Sequence, residues 1–542
     1  MTKSTFLGFI ERRRNILLLD LLVVAPFLTL PLLVDLPYRV NIFLTWEGAY
    51  RLYLGQVPFK DFGLPMGYGF WVIPALFFKL FGPTFLSLIK AQVLINLLSV
   101  LSLRGILYNL RIKPLLITLT LLVFCLTYVI YNFWPWYNHS VIVFEFIALF
   151  FLTVDSSKLK KWQYHLSISA AGFFTFFTFF TKQDVGGICF VMGLFILAYQ
   201  AWRGNQYSII LTYLLSFVLT ATLFILPVVD YNFLYWFNYG QEPHSSRISL
   251  LSIVDIFLTQ SLLEKIYLLL IGVSAILGIA SIKELVTQNQ KFIIITLSVG
   301  LILQAIVTRV TSPLPTDHMN YFHTFAFIGI VAFISWTKWI EKFRYVILTA
   351  FILSITYSSG YWKYISGILK LKQDETSIVV VHSEPWEKGE LASLKNILLP
   401  PETNAGIKTI MSLPFLKKEN LKVLNLSELT FLAHEIGYTP LTQQPLWYHL
   451  NIGIFETEIQ EINKKVQDKQ YDLVLFESIP SLNNFYPYAI QDKLKENYFH
   501  LSTFLAPRQL EDSTIDIFIH PDLAKQYGLI PDNDPTRNPE DQ

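Results

Sequence analysis

Apolar runs long enough to cross a bilayer, repeated along most of the chain, constrain this sequence more than any other feature. A membrane-spanning helix needs about 20 predominantly apolar residues. Such runs lie near 16–36, 86–107, 114–132, 138–154, 165–181, 185–202, 207–229, 262–282, 292–308, 320–337 and 345–362. From Lys363 to Gln542 the pattern changes to charged residues and short alternating segments. Only 15% of the chain is charged, against about 25% in soluble globular proteins. The predicted fold is therefore mainly α: a polytopic membrane helix bundle over residues 1–362, followed by a soluble α/β domain over 363–542.

Charge sets the topology. One further apolar stretch, "MGYGFWVIPALFFKLF" (66–81), is short and holds Pro74 and Lys79. Lys and Arg concentrate in cytoplasmic loops. If 66–81 does not cross, and Arg12, Arg13 and Arg14 are inside, the basic loops 104–113, 155–165, 283–291 and 337–345 all fall inside. If it crosses, they all face out. The first reading gives about eleven spans, a cytoplasmic N-terminus, a C-terminal domain outside, and a long outer first loop (37–85) whose 66–81 helix lies in the interface. "MTKSTFLGFIERRRN" reads as a cytoplasmic anchor flank rather than a removed signal peptide. A net charge of +2 points to no nucleic-acid partner. Cys125 and Cys189 both sit in apolar runs, so no disulfide framework exists.

Several charges go against this pattern. Lys90, Lys182, Arg247 and Arg309 fall on the outer side, as do His139, His244, His318 and His323. Such cations either snorkel to the interface or hold an anion such as phosphate. Glu47 and Asp61 stand in the outer loop. Glu47 is a general base or the i,i+4 partner of Arg51. Asp61 is a base or the cap of a helix starting near Leu64. Glu145 is an acid inside the fourth span, and Asp184 neutralises Lys182. In the C-terminal domain, "SIVVVHS" (377–383), "LKVLNLS" (421–427), "YDLVLFES" (471–478) and "TIDIFIHP" (514–521) read as strands, and 455–469 as a helix. No Gly-rich phosphate loop, metal cluster or nucleophile motif occurs there, so its expected role is accessory.

The stretch "WEGAYRLYLGQVPFKDFGLPMGYGFWVIPALFFKLFG" (46–82) resembles the first outer loop of GT-C membrane glycosyltransferases, a group that includes protein O-mannosyltransferases and lipid A aminoarabinose transferases. Glu47, Gly48, Tyr50, Gly55, Pro58, Phe59, Lys60, Asp61, Phe62 and Gly82 occupy the places of that pattern, while Trp46 stands where members often carry a second acid. Lys90 sits where the family often has Arg. "FFTKQDVGG" (179–187) and "DHMNYFHTFAF" (317–327) resemble later segments of the family. The resemblance implies a bacterial plasma-membrane enzyme. It would move a sugar, with inversion, from a polyprenyl-phosphate donor to a hydroxyl of a glycan, lipid or protein acceptor. Glu47 and Asp61 would be catalytic. Lys182, Arg247, Arg309, Lys90 and His318 would hold the donor phosphate, with a divalent cation as the only cofactor such a site would take. Two other readings stay open: a lipid-linked glycan transporter or flippase, with acids and bases along a path through the spans, and an inactive scaffold, suggested by Trp46.

Overall fold

The computed structural model describes residues 13–38, 42–63, 65–129, 133–238, 248–279, 282–311, 316–336, 386–446, 448, 455–479, 487–507 and 513–530. The predicted span at 345–362 and strand at 377–383 lie outside the described residues. The first part of the chain is helical. It runs α1 (Arg13–Leu33), the short strand β1 (Leu36–Pro37), α2 (Ile42–Tyr53), β2 (Phe62–Gly63), α3 (Gly69–Phe81), α4 (Phe85–Asn109) and α5 (Pro114–Phe124), which continues as a π-helical turn to Val129. Then come α6 (Tyr137–Leu152), α7 (Lys161–Thr181), α8 (Gln183–Gly204), α9 (Ser208–Ile225), α10 (Leu250–Thr259), α11 (Leu262–Gly278), α12 (Asn289–Thr311), a 3₁₀ segment (Thr316–His323) and α13 (Thr324–Trp336).

Local chemistry accounts for several boundaries. Thr84 caps α4, its side chain accepting from the Ser87 N–H. Pro114 opens α5, where its missing N–H costs nothing. Asn205 takes the left-handed conformation that closes α8.

Four helices among the described residues are long and apolar enough to cross a membrane: 85–109, 183–204, 208–231 and 289–311. A fifth candidate is the pair α10 and α11, bent by 87° at a short break. Other apolar helices are shorter, α3 among them, with 13 residues. At 1.5 Å per residue α3 spans about 20 Å, well short of a hydrocarbon core of about 30 Å. The largest apolar core of the bundle includes Leu121, Val141, Phe146, Leu149, Ile168, Ile196 and Leu301. Two basic loops meet at one end of it, where Arg111 pairs with Asp155 at 3.0 Å.

The C-terminal part is strand-rich. A four-stranded sheet has the order β5 (Val423–Leu426), β7 (Leu473–Ser478), β9 (Thr514–Ile519), β8 (Phe499–Leu505). Its β5–β7 pair is parallel and the other pairs are antiparallel, with a register shift between His500 and Ser502. Helices α14 (Pro401–Met411), α15 (Glu456–Gln467) and α16 (Tyr488–Asn497) accompany it. Short strands β3 (Glu387–Lys388), β4 (Ile397–Leu399) and β6 (Gln444–Pro445) complete the part.

This region is fastened to the first loop. β1 pairs in parallel with β4, Leu36 opposite Ile397, and β2 pairs in parallel with β6, Phe62 opposite Gln444. Apolar side chains of both regions fill the same cores. Trp46, Phe78 and Phe85 pack with Leu429, Phe431 and Leu432, and Phe62, Phe70 and Trp71 with Leu424, Phe476 and Ile490.

Candidate functional site

Glu47 lies on α2, "IFLTWEGAYRLY", a helix buried along most of its length. α3 lies tightly against it. A Cβ on Gly48 would fall 2.0 Å from the Trp71 ring, so only glycine admits that indole, and Trp71 Nε1 donates to the Leu44 carbonyl at 3.1 Å. Trp46 is buried and fills the apolar layer beneath, with ring centroids 4.7 Å from Phe85, 4.9 Å from Phe78 and 6.4 Å from Phe431. A carboxylate in its place would be desolvated among three phenyl rings.

Arg51 organises the site. Its Nη2 and Nε donate to Glu47 Oε1 at 2.7 and 3.0 Å. Its Nη1 donates to Gln56 Oε1 at 2.9 Å and to the Leu441 carbonyl at 2.8 Å. Gln56 Nε2 in turn donates to the Pro440 carbonyl at 3.0 Å. Both Arg51 contacts with Glu47 fall on Oε1, and Oε2 has no hydrogen bond among the described residues. Around the pair, Asn425, Thr430, Tyr438 and Gln444 line a small cleft with room for little more than one water. Burial pushes the nearby Tyr50 hydroxyl up to about 12, with a smaller push from Tyr53.

Asp61 sits in a turn. Its Oδ2 accepts from the Val57 N–H at 2.7 Å and its carbonyl accepts from the Gln443 N–H. It closes a turn in which Phe59 has φ +67°. The next helix starts only at Gly69, with Tyr68 as its cap residue, so Asp61 does not cap it. The 440–446 segment thus clasps both acids' neighbourhoods, through Arg51 and Gln56 on one side and Asp61 on the other.

The cations are placed as follows. Lys182, at the α7–α8 junction, pairs with Asp184 at 2.7 Å and reaches Thr308 and Thr311 at 3.3 and 3.4 Å. Arg309, on the same last turn of α12, pairs with Glu264 at 2.9 Å. Each of the two is buried and neutralised by its own carboxylate. Lys90 sits 4.1 Å from the centre of the Phe81 ring, a cation–π contact. Arg247 lies outside the described residues, and His318 falls within the 3₁₀ segment. The structure brings Lys182 and Arg309 to one helix end, and Glu47 and Asp61 to one clasp.

Sequence reasoning did not single out Glu264, nor Asn425, Thr430 and Tyr438 beside Glu47. No local pattern marks them, since they meet their partners only across long sequence distances. No group of three or more His, Cys, Asp or Glu side chains converges among the described residues. The described residues therefore bring together no ligand set for a divalent cation. No family model matches this chain, and no curated protein matches it.

Proposed function

We propose that this protein is an integral membrane glycosyltransferase, with the loop bearing Glu47 and the C-terminal sheets at the outer face of a bacterial plasma membrane. It would move a sugar from a polyprenyl-phosphate donor to an acceptor hydroxyl. The observation that supports this reading is the state of Glu47: a carboxylate anchored through one oxygen by a buried arginine, its other oxygen unengaged beside a cleft. A carboxylate held this way suits a general base, because its orientation is fixed while a lone pair stays available. In the reaction Glu47 Oε2 takes the acceptor proton and the acceptor oxygen bonds to the anomeric carbon from the face opposite the phosphate. The bond from that carbon to the phosphate oxygen breaks, and the lipid phosphate leaves with the electron pair. Positive charge must meet it there. Lys90, whose ammonium lies over the Phe81 ring and which has no carboxylate partner among the described residues, would supply it. Lys182 and Arg309 would first have to exchange Asp184 and Glu264 for the phosphate. The cleft as it stands excludes a sugar, so the 440–446 segment would part from α2 to admit substrate.

Trp46 favours a second reading. Its indole is structural, which leaves Glu47 and Asp61 as the acids of the loop pattern, each held through one carboxylate oxygen; the scaffold alternative is a protein in which these two acids only hold Arg51 and a turn. The assay is release of free polyprenyl phosphate from a panel of undecaprenyl-phosphate hexoses by the purified protein in vesicles supplied with glycan, lipid and peptide hydroxyl acceptors. Glu47→Gln should lower turnover by about 10²–10⁴-fold without loss of donor binding. Absence of turnover with every donor, together with intact binding, would decide for the scaffold.

A further inference from the structure

The pair α10 and α11 meets the reaction above only through Glu264, the partner of Arg309, and what it implies about the membrane does not depend on that reaction. α10 has ten residues, about 15 Å of helix and half the hydrocarbon thickness. It meets α11 at 87°. None of its residues is buried, yet it has three distinct edges. Ile253, Ile256 and Phe257 pack on a core of Tyr267, Ile271 and Ile302. Leu250, Leu251 and Leu258 stand 77%, 82% and 62% exposed, with Val254 beside them. Asp255 and Thr259 form an exposed polar edge.

The elbow carries the second half of the argument. The last carbonyls of a helix lack intrahelical partners, and outside water they must find them within the protein. Here they do. The Leu258 carbonyl accepts from Lys265 Nζ at 2.8 Å, and the Gln260 carbonyl accepts from Arg309 Nη1 at 2.8 Å. Cations at a helix C-terminus also oppose its dipole. Arg309 is balanced by Glu264, which His323 Nε2 also meets at 3.0 Å, and all three are buried. A short exposed helix in water needs neither two cationic caps nor a row of bare leucines.

We propose that α10 is an interfacial helix lying flat in the bilayer surface. Its leucine edge rests on acyl chains and its Asp255–Thr259 edge faces the headgroups, so that residues 250–278 cross the membrane once, through α11 alone. The partner is a lipid surface.

Single nitroxide labels at Leu251→Cys and Asp255→Cys, in vesicles of phosphatidylcholine and phosphatidylglycerol, test this. The Leu251 label should collide with oxygen and be shielded from a water-soluble nickel chelate, and the Asp255 label should show the reverse. Leu258→Cys, on the same apolar edge, repeats the measurement if Leu251→Cys misfolds. Nickel access at both edges places α10 in water and overturns the proposal. Oxygen access with nickel shielding at both places it inside the hydrocarbon, and overturns it equally.

Discussion

Replacing Arg51 by methionine keeps an unbranched apolar stem and removes every charge-assisted contact of the clasp. Two hydrogen bonds to Glu47 disappear, with one to Gln56 and one to the Leu441 carbonyl. The two side chains are 3% and 16% exposed, so Glu47 would remain as a largely desolvated, unpaired anion. Removing one partner of a buried pair costs about 3–5 kcal/mol, and the partial exposure of Glu47 argues for the lower end. At roughly 2 °C per kcal/mol for a large domain, the melting midpoint should fall by about 5 °C or more. Adding Glu47→Met should restore much of it, since replacing both partners by apolar groups is often neutral. Cys125 and Cys189 are the only cysteines and both are buried, so a thiol-reactive dye reports unfolding directly in detergent. Identical midpoints for Arg51→Met and the parent would refute the claim that this arginine joins α2 to the 440–446 segment. A double variant less stable than the single one would refute the charge argument specifically.

Three further outcomes are expected. Gly48→Ala drives a methyl into the Trp71 ring and should cost about 1–3 kcal/mol, read as a lower midpoint in the same dye assay. Tyr235 donates to Glu458 at 2.7 Å, and burial, opposed in part by that bond, raises the Glu458 carboxyl above its ordinary value. A raised acid binds its proton more tightly when folded, so stability should be greatest at low pH and fall as pH rises from the ordinary Glu value through the raised one; Glu458→Gln should flatten that slope in pH-resolved melts. In intact cells, a membrane-impermeant maleimide should label Lys417→Cys and spare Ser157→Cys, both exposed positions, and the reverse pattern would reverse the proposed topology.

Much of the helical framework was legible because it is local. The apolar run before Asn109 gives α4, and the periodicity over 455–469 gives α15 at Glu456–Gln467. The Glu47–Arg51 pair follows from i,i+4 spacing and the Lys182–Asp184 pair from proximity. Asp61 was legible only as a capping or catalytic acid, because a turn that closes back on Val57 depends on the positive φ of Phe59, which a phenylalanine does not advertise. The strands β1, β2, β4 and β6 have two or three residues each and show no alternation to read. Likewise, the elbow of α10 and α11 needs Arg309 from another helix, so the apolar sequence alone does not reveal the bend.

The pairing of β1 with β4 and β2 with β6 has a consequence for biogenesis. Leu36 and Ile397 are separated by some 360 residues of chain, and ribosomes add about 5–20 residues per second. The first loop would therefore wait on the order of 20–70 s with unsatisfied strand edges and bare aromatic side chains before its partner strands are made. Any holdase at the membrane surface has that interval in which to act. Truncations that end before Ile397 should leave the loop permanently in its waiting state, open to proteolysis between Leu36 and Phe62 even where the helices have inserted.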